Sequence, residues 1–318
     1  MKALVTGAGG FIGSHLVEHL VSEGWAVRAL VHYRGDGGRG WLEDSGDAVE
    51  IVAGAVEDAD FVRSAVEGCD TVFNLAAQIS IPQSYDNPER FLAVNVGGTM
   101  NVLNAACAWA ARPVQMSTSE VYGTARTVPM TEAHPIGPQS PYAASKVAAD
   151  AFCTAYRRTY GLDVVLARPF NTYGPRQSQR SVIPNVVAQV LRGAKEIRVG
   201  TLTATRDFTY VSDTVEALCR LAKGPPTAGP VNIGSGEEIA IGDLVRFVGS
   251  ALGHEVEPIV ASEYVRPADS EVERLICDAR KLREGWGWAP TVPLRTGILR
   301  VAEWLGPRLD TIRGGRIP

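Results

Sequence analysis

Cysteine is scarce and scattered. Five lie along 318 residues, at Cys69, Cys107, Cys153, Cys219 and Cys277, with no CxxC pair. That spacing excludes a disulfide scaffold and a cysteine zinc site, and predicts reduced thiols. Histidine is equally sparse. His15, His19, His32, His134 and His254 form no HxH or HExxH pattern, so no metal site is expected. Neither sign of charge dominates: 31 Lys and Arg face 35 Asp and Glu, for a net charge of −4. This leaves no basic footprint for nucleic acid, although a local pocket for a small anion is allowed. No run of eighteen apolar residues is read, so no membrane-spanning helix is expected. No apolar leader precedes the first predicted strand, which places the protein in the cytoplasm as an expectation.

What is present is an ordinary globular composition, 45% apolar and 21% charged. The length exceeds what one core usually supports, which predicts two domains. Residues 2–6 read as a buried strand running into a glycine loop, and Ile12, Leu16, Val17, Leu20 and Val21 then recur at helical spacing. Further strands are predicted at 27–31, 49–53, 71–74, 114–117 and 163–167. Long helices are predicted at 88–111 and 141–160. Alternation of this kind implies an α/β fold, a Rossmann-type doubly wound parallel sheet. Residues 1–169 are read mainly as this domain, with return segments near 211–233. Residues 170–318 are read mainly as a smaller mixed substrate domain. Its predicted helices lie at 181–192, 213–223, 241–252 and 293–305, and its strands at 197–199, 208–210, 231–233 and 255–259. The tail at 310–318 is poor in apolar residues and is predicted to be partly disordered.

The glycine loop is the first chemical signal. Gly7 permits a tight strand-to-helix turn, Gly10 lets backbone approach a pyrophosphate, and Gly13 lets the helix pack on the sheet. Free amides at that helix start would face the phosphates. The strand–loop–helix context predicts a dinucleotide site. The end of the second strand carries Val31-His32-Tyr33-Arg34, with no acid for an adenosine ribose. His32 or Arg34 could meet a 2′-phosphate, so NADP stays open beside NAD.

The second signal is Tyr142 and Lys146, four apart and therefore on one helical face. A phenol is a poor base at its ordinary pKa near 10. A nearby ammonium favours phenolate, which makes Tyr142 a workable acid–base for a hydroxyl. Ser117, Thr118, Ser119 and Glu120 follow the predicted fifth strand, where an open sheet presents its ligand crevice. Arg176, Arg206 and Arg266 suit a diphosphate, since the guanidinium fork matches phosphate oxygens. Ser80 and Pro82, after the fourth strand, are expected to shape a sugar pocket. Val182 is placed among the substrate-binding residues.

These segments together resemble the extended short-chain dehydrogenase/reductase family, in its NAD-dependent epimerase/dehydratase branch. The resemblance spans nearly the whole chain: TGAGGFIG at 6–13, NLAA at 74–77, VNVGGT around Asn95, STSEVYG at 117–123, SPYAASK at 140–146, RPFNTYGPRQ at 168–177, RDFTYVSD at 206–213 and RPADSEVERL at 266–275. The subgroup it most resembles is the retaining UDP-N-acetylglucosamine 4,6-dehydratases of the legionaminic-acid type. The resemblance implies that Phe11, Ile12, Leu75, Ala76, Ala77 and Asn95 line the cofactor beside the glycines. It implies that Thr118 bonds the sugar O4, that Tyr142 takes the O4 proton, and that Lys146 is its partner and holds the cofactor ribose. Glu120 resembles the base at C5, Asn171 a residue under the diphosphate, and Arg206 and Arg266 the phosphate and nucleoside clamp. A UDP-sugar substrate and a homodimer through the two long helices are implied as well.

Two departures are visible. Ser119 stands where dTDP-glucose dehydratases commonly carry an Asp that protonates the leaving 6-hydroxyl. Ser119 is no strong acid, so Glu120 would have to return its proton to O6. Ala55 stands where relatives often place an Asp near adenine. The family also contains UDP-glucuronate decarboxylases, 5,6-dehydratases and 4-epimerases, which remain alternatives. An inactive dinucleotide-binding protein is a remote one, because Thr118, Tyr142 and Lys146 are all present.

Overall fold

The computed structural model describes residues 1–33, 37–43 and 46–310. The first half alternates strands and helices: β1 (Lys2–Thr6), α1 (Phe11–Ser22), β2 (Ala26–Val31), β3 (Val49–Ala53), α2 (Ala59–Val66), β4 (Thr71–Asn74), α3 (Ile81–Asp86), α4 (Pro88–Phe91), α5 (Gly98–Trp109), β5 (Arg112–Met116), α6 (Pro141–Tyr160) and β6 (Val165–Pro169). The second half runs β7 (Asn171–Tyr173), α7 (Val182–Leu191), β8 (Glu196–Val199), β9 (Thr205–Tyr210), α8 (Val211–Lys223), β10 (Val231–Ile233), β11 (Glu238–Ala240), α9 (Ile241–Leu252), β12 (Glu257–Val260), α10 (Arg280–Trp286) and α11 (Leu294–Leu305).

Seven parallel strands form the main sheet in the order β10-β6-β5-β4-β1-β2-β3. The order reverses between β1 and β4, so their carboxyl ends open the crevice where such sheets bind ligands. One apolar cluster takes in α1 (Leu16, Val17, Leu20), α8 (Leu218, Leu221) and the strand side chains facing them. A second joins α2, α5 and α6 through Val62, Val102, Leu103 and Cys153. Apolar burial on both faces is what an all-parallel sheet requires. The remaining strands form a smaller, mixed region. β9 pairs antiparallel with β11 and parallel with β7, while β12 pairs parallel with β8. The two-part α/β reading of the fold therefore holds.

Local signals set the sharpest boundaries. α6 starts on Ser140, whose Oγ accepts from Ala143 N at 3.1 Å, has Pro141 in its first turn, and stops at Gly161 with φ +67°. The eight-residue α2 is absent from the sequence reading, although Asp58 caps it by accepting from Phe61 N at 3.0 Å. The pattern at 88–111 becomes α4, a π-turn segment at Leu92–Gly97, and α5. By length and composition this continuous helix could cross a membrane, which corrects the expectation that none could; more than half of its apolar window is buried within the fold. All five cysteines are free thiols, four of them buried. The predicted tail beyond residue 310 lies outside the described residues, as does Arg34.

Candidate active site

The glycine loop fits a dinucleotide cradle. Gly7 has φ +66°, and a Cβ there would sit 2.9 Å from Ala76 N. A Cβ on Gly13 would lie 2.2 Å from the Gly7 carbonyl oxygen and 2.9 Å from Ala8 Cα. Gly10 caps α1 by backbone alone, with Gly10 N donating to Gly7 O at 3.0 Å. The chain therefore turns tightly into α1, and no side chain caps the first amides of that helix. Phe11 and Ile12 open that helix. Thr6 Oγ1 accepts from Leu75 N at 3.1 Å and Ala76 N at 3.0 Å, tying the exit of β4, with Ala77 next, to the same edge. Replacing Gly13 with Ala drives a methyl into backbone that cannot yield, at a cost of about 1–3 kcal/mol. A lowered denaturation midpoint together with weaker calorimetric binding of NAD(P) is the expected result.

His32 is exposed just past β2. The next described stretch folds back onto the glycine loop: Trp41 N donates to Gly9 O at 3.0 Å, and the Trp41 ring meets Trp304 edge-on. Asn95 sits in the π-turn, the kind of helix irregularity that often marks a functional position. It is buried, accepts from Gln78 N at 2.8 Å, and donates to Gln78 O and Ser145 Oγ. Asn95 thus fixes the chain after β4 to the residue beside Lys146. Gln78 and Ser145 are given no role in the sequence reading, although Gln78 adjoins NLAA at 74–77 and Ser145 lies within SPYAASK at 140–146.

Tyr142 lies at the start of α6, its ring edge-on to Phe91 at 6.3 Å and packed with Ile81. Burial pushes the phenol well above its ordinary range, and the charges of Glu120 and Asp150 push it the same way. The Thr118 hydroxyl acts in the opposite direction. The help expected from Lys146 does not figure among these influences; the Lys146 amine donates to Met116 O at 2.9 Å. Burial lowers Lys146 to about 8, opposed by the Asp150 carboxylate. Thr118 leaves β5 in extended backbone and accepts from Glu120 N at 3.2 Å, opening the 3-10 turn Ser119–Tyr122. Ser119 is buried in that turn.

The arginines divide into two groups. Arg206 on β9 is buried and donates to Glu271 Oε1 at 2.9 Å. Burial lowers its pKa, against the charges of Glu120 and Glu271. Arg266 Nη1 lies 4.0 Å from both Glu120 and Glu271 and has no hydrogen-bond partner. Arg206, Arg266 and Glu120 are thus brought together with Glu271, a residue the sequence did not single out. Arg176 stands elsewhere: at φ +69° it donates to Ser14 Oγ at 3.1 Å and Glu18 Oε1 at 2.6 Å, both on α1. Asn171 follows β6 and donates to Asp207 O at 3.4 Å. Ser80 and Pro82 flank the start of α3, and Tyr85 on that helix bonds Ser270 at 2.6 Å, beside Glu271. Val182 opens α7, half-buried.

The glycine cradle after β1, the buried tyrosine–lysine pair on α6 and the arginines carried by β9 and by the segment after β12 belong to a nicotinamide-dependent enzyme that modifies nucleotide sugars. The chain belongs to the NAD-dependent sugar epimerase/dehydratase family: the sequence profile of the GDP-mannose 4,6 dehydratase family matches residues 4–301. It is 36% identical over 316 residues to a UDP-glucose 4-epimerase of Mycolicibacterium smegmatis, covering 96% of this chain and 98% of that one. It is 36% identical to UDP-glucuronic acid decarboxylase 6 of Arabidopsis thaliana, covering 95% and 88%. A solved dTDP-glucose 4,6-dehydratase from Streptomyces venezuelae, with NAD bound, superposes at a TM-score of 0.87 with 30% identity and 98% coverage of each chain.

Proposed function

We propose that this protein oxidises C4 of a nucleotide-bound hexose and that Glu120 then acts at C5, in a 4,6-dehydratase cycle on UDP-N-acetylglucosamine like that of legionaminic-acid-type enzymes. The observation that carries this reading is the state of Glu120. Its carboxylate stands close enough to the phenol to raise it, yet among the described residues it accepts no side-chain or backbone hydrogen bond. A structural carboxylate in a half-buried site would be bonded; an unbonded one is available as a base.

NAD, which Gly7, Gly10, Gly13 and Lys146 would hold, would take up the C4 hydride and return it to C6 after water is lost, with a proton from Tyr142 or solvent closing C5. Thr118 orients O4, and Tyr142 takes its proton as C4 is oxidised. The resulting ketone makes the C5 proton acidic, and Glu120 removes it. Glu120 then hands that proton to O6 as water leaves, because Ser119 is too weak an acid. Arg206 and Arg266 clamp the diphosphate. Residues 1–169, with the return at 211–233, are read as the cofactor part and 170–318 as the substrate part. A homodimer through α5 and α6 completes the proposal, supported by exposed Trp109 and Tyr160 on those helices.

The relatives support other outcomes of the same first step more directly. A 4-epimerase would need Tyr142 but give Glu120 no chemistry, and a UDP-glucuronate decarboxylase would turn Arg266 toward a C5 carboxylate. Product mass from a panel of UDP-, GDP- and dTDP-sugars separates them. Loss of one water supports dehydration, loss of carbon dioxide supports decarboxylation, and unchanged mass with a changed sugar supports epimerisation.

A further inference from the structure

One turn beyond Lys146, on the same face of α6, stands a carboxylate that no step above uses. Asp150 is 5% exposed. Its Oδ2 accepts from Arg168 Nε at 3.0 Å and Nη2 at 2.8 Å. Arg168 comes from β6, is itself buried, and donates from Nη1 to the Tyr122 hydroxyl at 3.0 Å. Tyr122 donates onward to Asn232 Oδ1 at 2.8 Å, on β10. The other carboxylate oxygen, Oδ1, is buried without a hydrogen-bond partner, and so is the Ser117 hydroxyl at the end of β5.

The arrangement is therefore lopsided. One carboxylate oxygen is fixed by a planar guanidinium, which is itself held by the Tyr122 hydroxyl in the turn after β5 and, through Tyr122, by Asn232 on β10. The other has no hydrogen bond of ordinary geometry, although the Ser117 hydroxyl also favours the ionised carboxylate, and buried Lys146 stands one helical turn before it. A buried ammonium with no anion near it gives up its proton rather than stay charged. Among the described residues the Lys146 amine is anchored by one neutral carbonyl, that of Met116.

We propose that Asp150 is a positioning residue for Lys146: its carboxylate, clamped by Arg168, keeps the buried lysine in its ammonium form beside Tyr142. The idea rests only on the Tyr142–Lys146 pair, which every reaction considered above requires. The groups that bear on the amine are Asp150 and Cys153 from its own helix. Burial raises Asp150, and Arg168 from β6, Ser117 just past β5 and Lys146 act against it to favour the carboxylate. Glu120 acts on Tyr142, not on the lysine.

A simpler role would have the Asp150–Arg168 pair only bolt α6 to β6. The two roles differ in sign. The full chain holds five lysines, so a sample labelled at the lysine ε-carbon gives five resonances, and Lys146→Met identifies the one that matters. Its titration midpoint is expected near 8 in the unaltered protein. Asp150→Asn should lower it by about one unit or more, and Asp150→Glu should restore it. Arg168→Met frees the carboxylate to turn to Lys146 and should raise the midpoint. An unmoved midpoint in Asp150→Asn, or shifts of the same sign in both variants, overturns the proposal. Should Asp150→Asn fail to fold, Arg168→Met decides alone, and a midpoint unchanged or lowered there overturns it.

Discussion

Replacing Tyr142 with Phe is expected to lower kcat by about a hundred- to ten-thousand-fold, the usual worth of a positioned acid–base. The substitution deletes one oxygen and keeps the ring, so the packing against Phe91 and Ile81 survives. The denaturation midpoint should therefore stay close to that of the unaltered protein, and the substrate should still bind. Burial and the charges of Glu120 and Asp150 raise the phenol, and the positive ring of a bound oxidised nicotinamide would act the other way and favour the phenolate that accepts the sugar proton. Among the described residues the Thr118 hydroxyl alone is hydrogen-bonded to it, so no other base replaces it when the sugar hydroxyl must lose its proton. A variant that keeps a near-normal kcat would remove Tyr142 from the chemistry and with it the reading of the whole edge.

Glu120→Gln has an equally large expected effect but a different signature. The amide keeps the shape and the neighbourhood of Arg266, and cannot accept a proton. C4 oxidation should proceed, so quenched reactions should contain a 4-keto sugar that still carries its 6-hydroxyl. Product formation should fall by about a hundred- to ten-thousand-fold. In deuterated water, the C5 position should cease to exchange. A 4-epimerase would pass through this substitution with its turnover nearly intact, which makes it the sharpest single variant for separating the two reactions.

The parts of the fold legible in sequence are those whose causes are local. β1, the glycine turn and α1 follow one another within a few residues, and the turn needs glycines for reasons of backbone space alone. α6 is bounded by its own Ser140, Pro141 and Gly161, and was read to the residue. β7 and β11 are three residues each and exist because β9 offers them partners; nothing in Asn171–Tyr173 or Glu238–Ala240 declares a strand. The site shows the same division. The Tyr142–Lys146 spacing is visible on one helix. Glu271, the partner of Arg206, is 65 positions away, and only the fold makes it a neighbour. Arg176 illustrates the converse: it sits in a segment rich in binding residues, but the left-handed backbone there points it to Glu18 on α1. Asp150 lay in plain view four residues after Lys146, but its pairing with Arg168 depends on β6 lying under α6.

Fate of the C4 hydrogen tests the account most directly. UDP-N-acetylglucosamine carrying deuterium at C4 should be converted, with no added reductant, to a 4-keto-6-deoxy sugar whose C6 methyl group holds the label. Deuterium found again at C4 of an intact hexose, or lost to the medium, would contradict it.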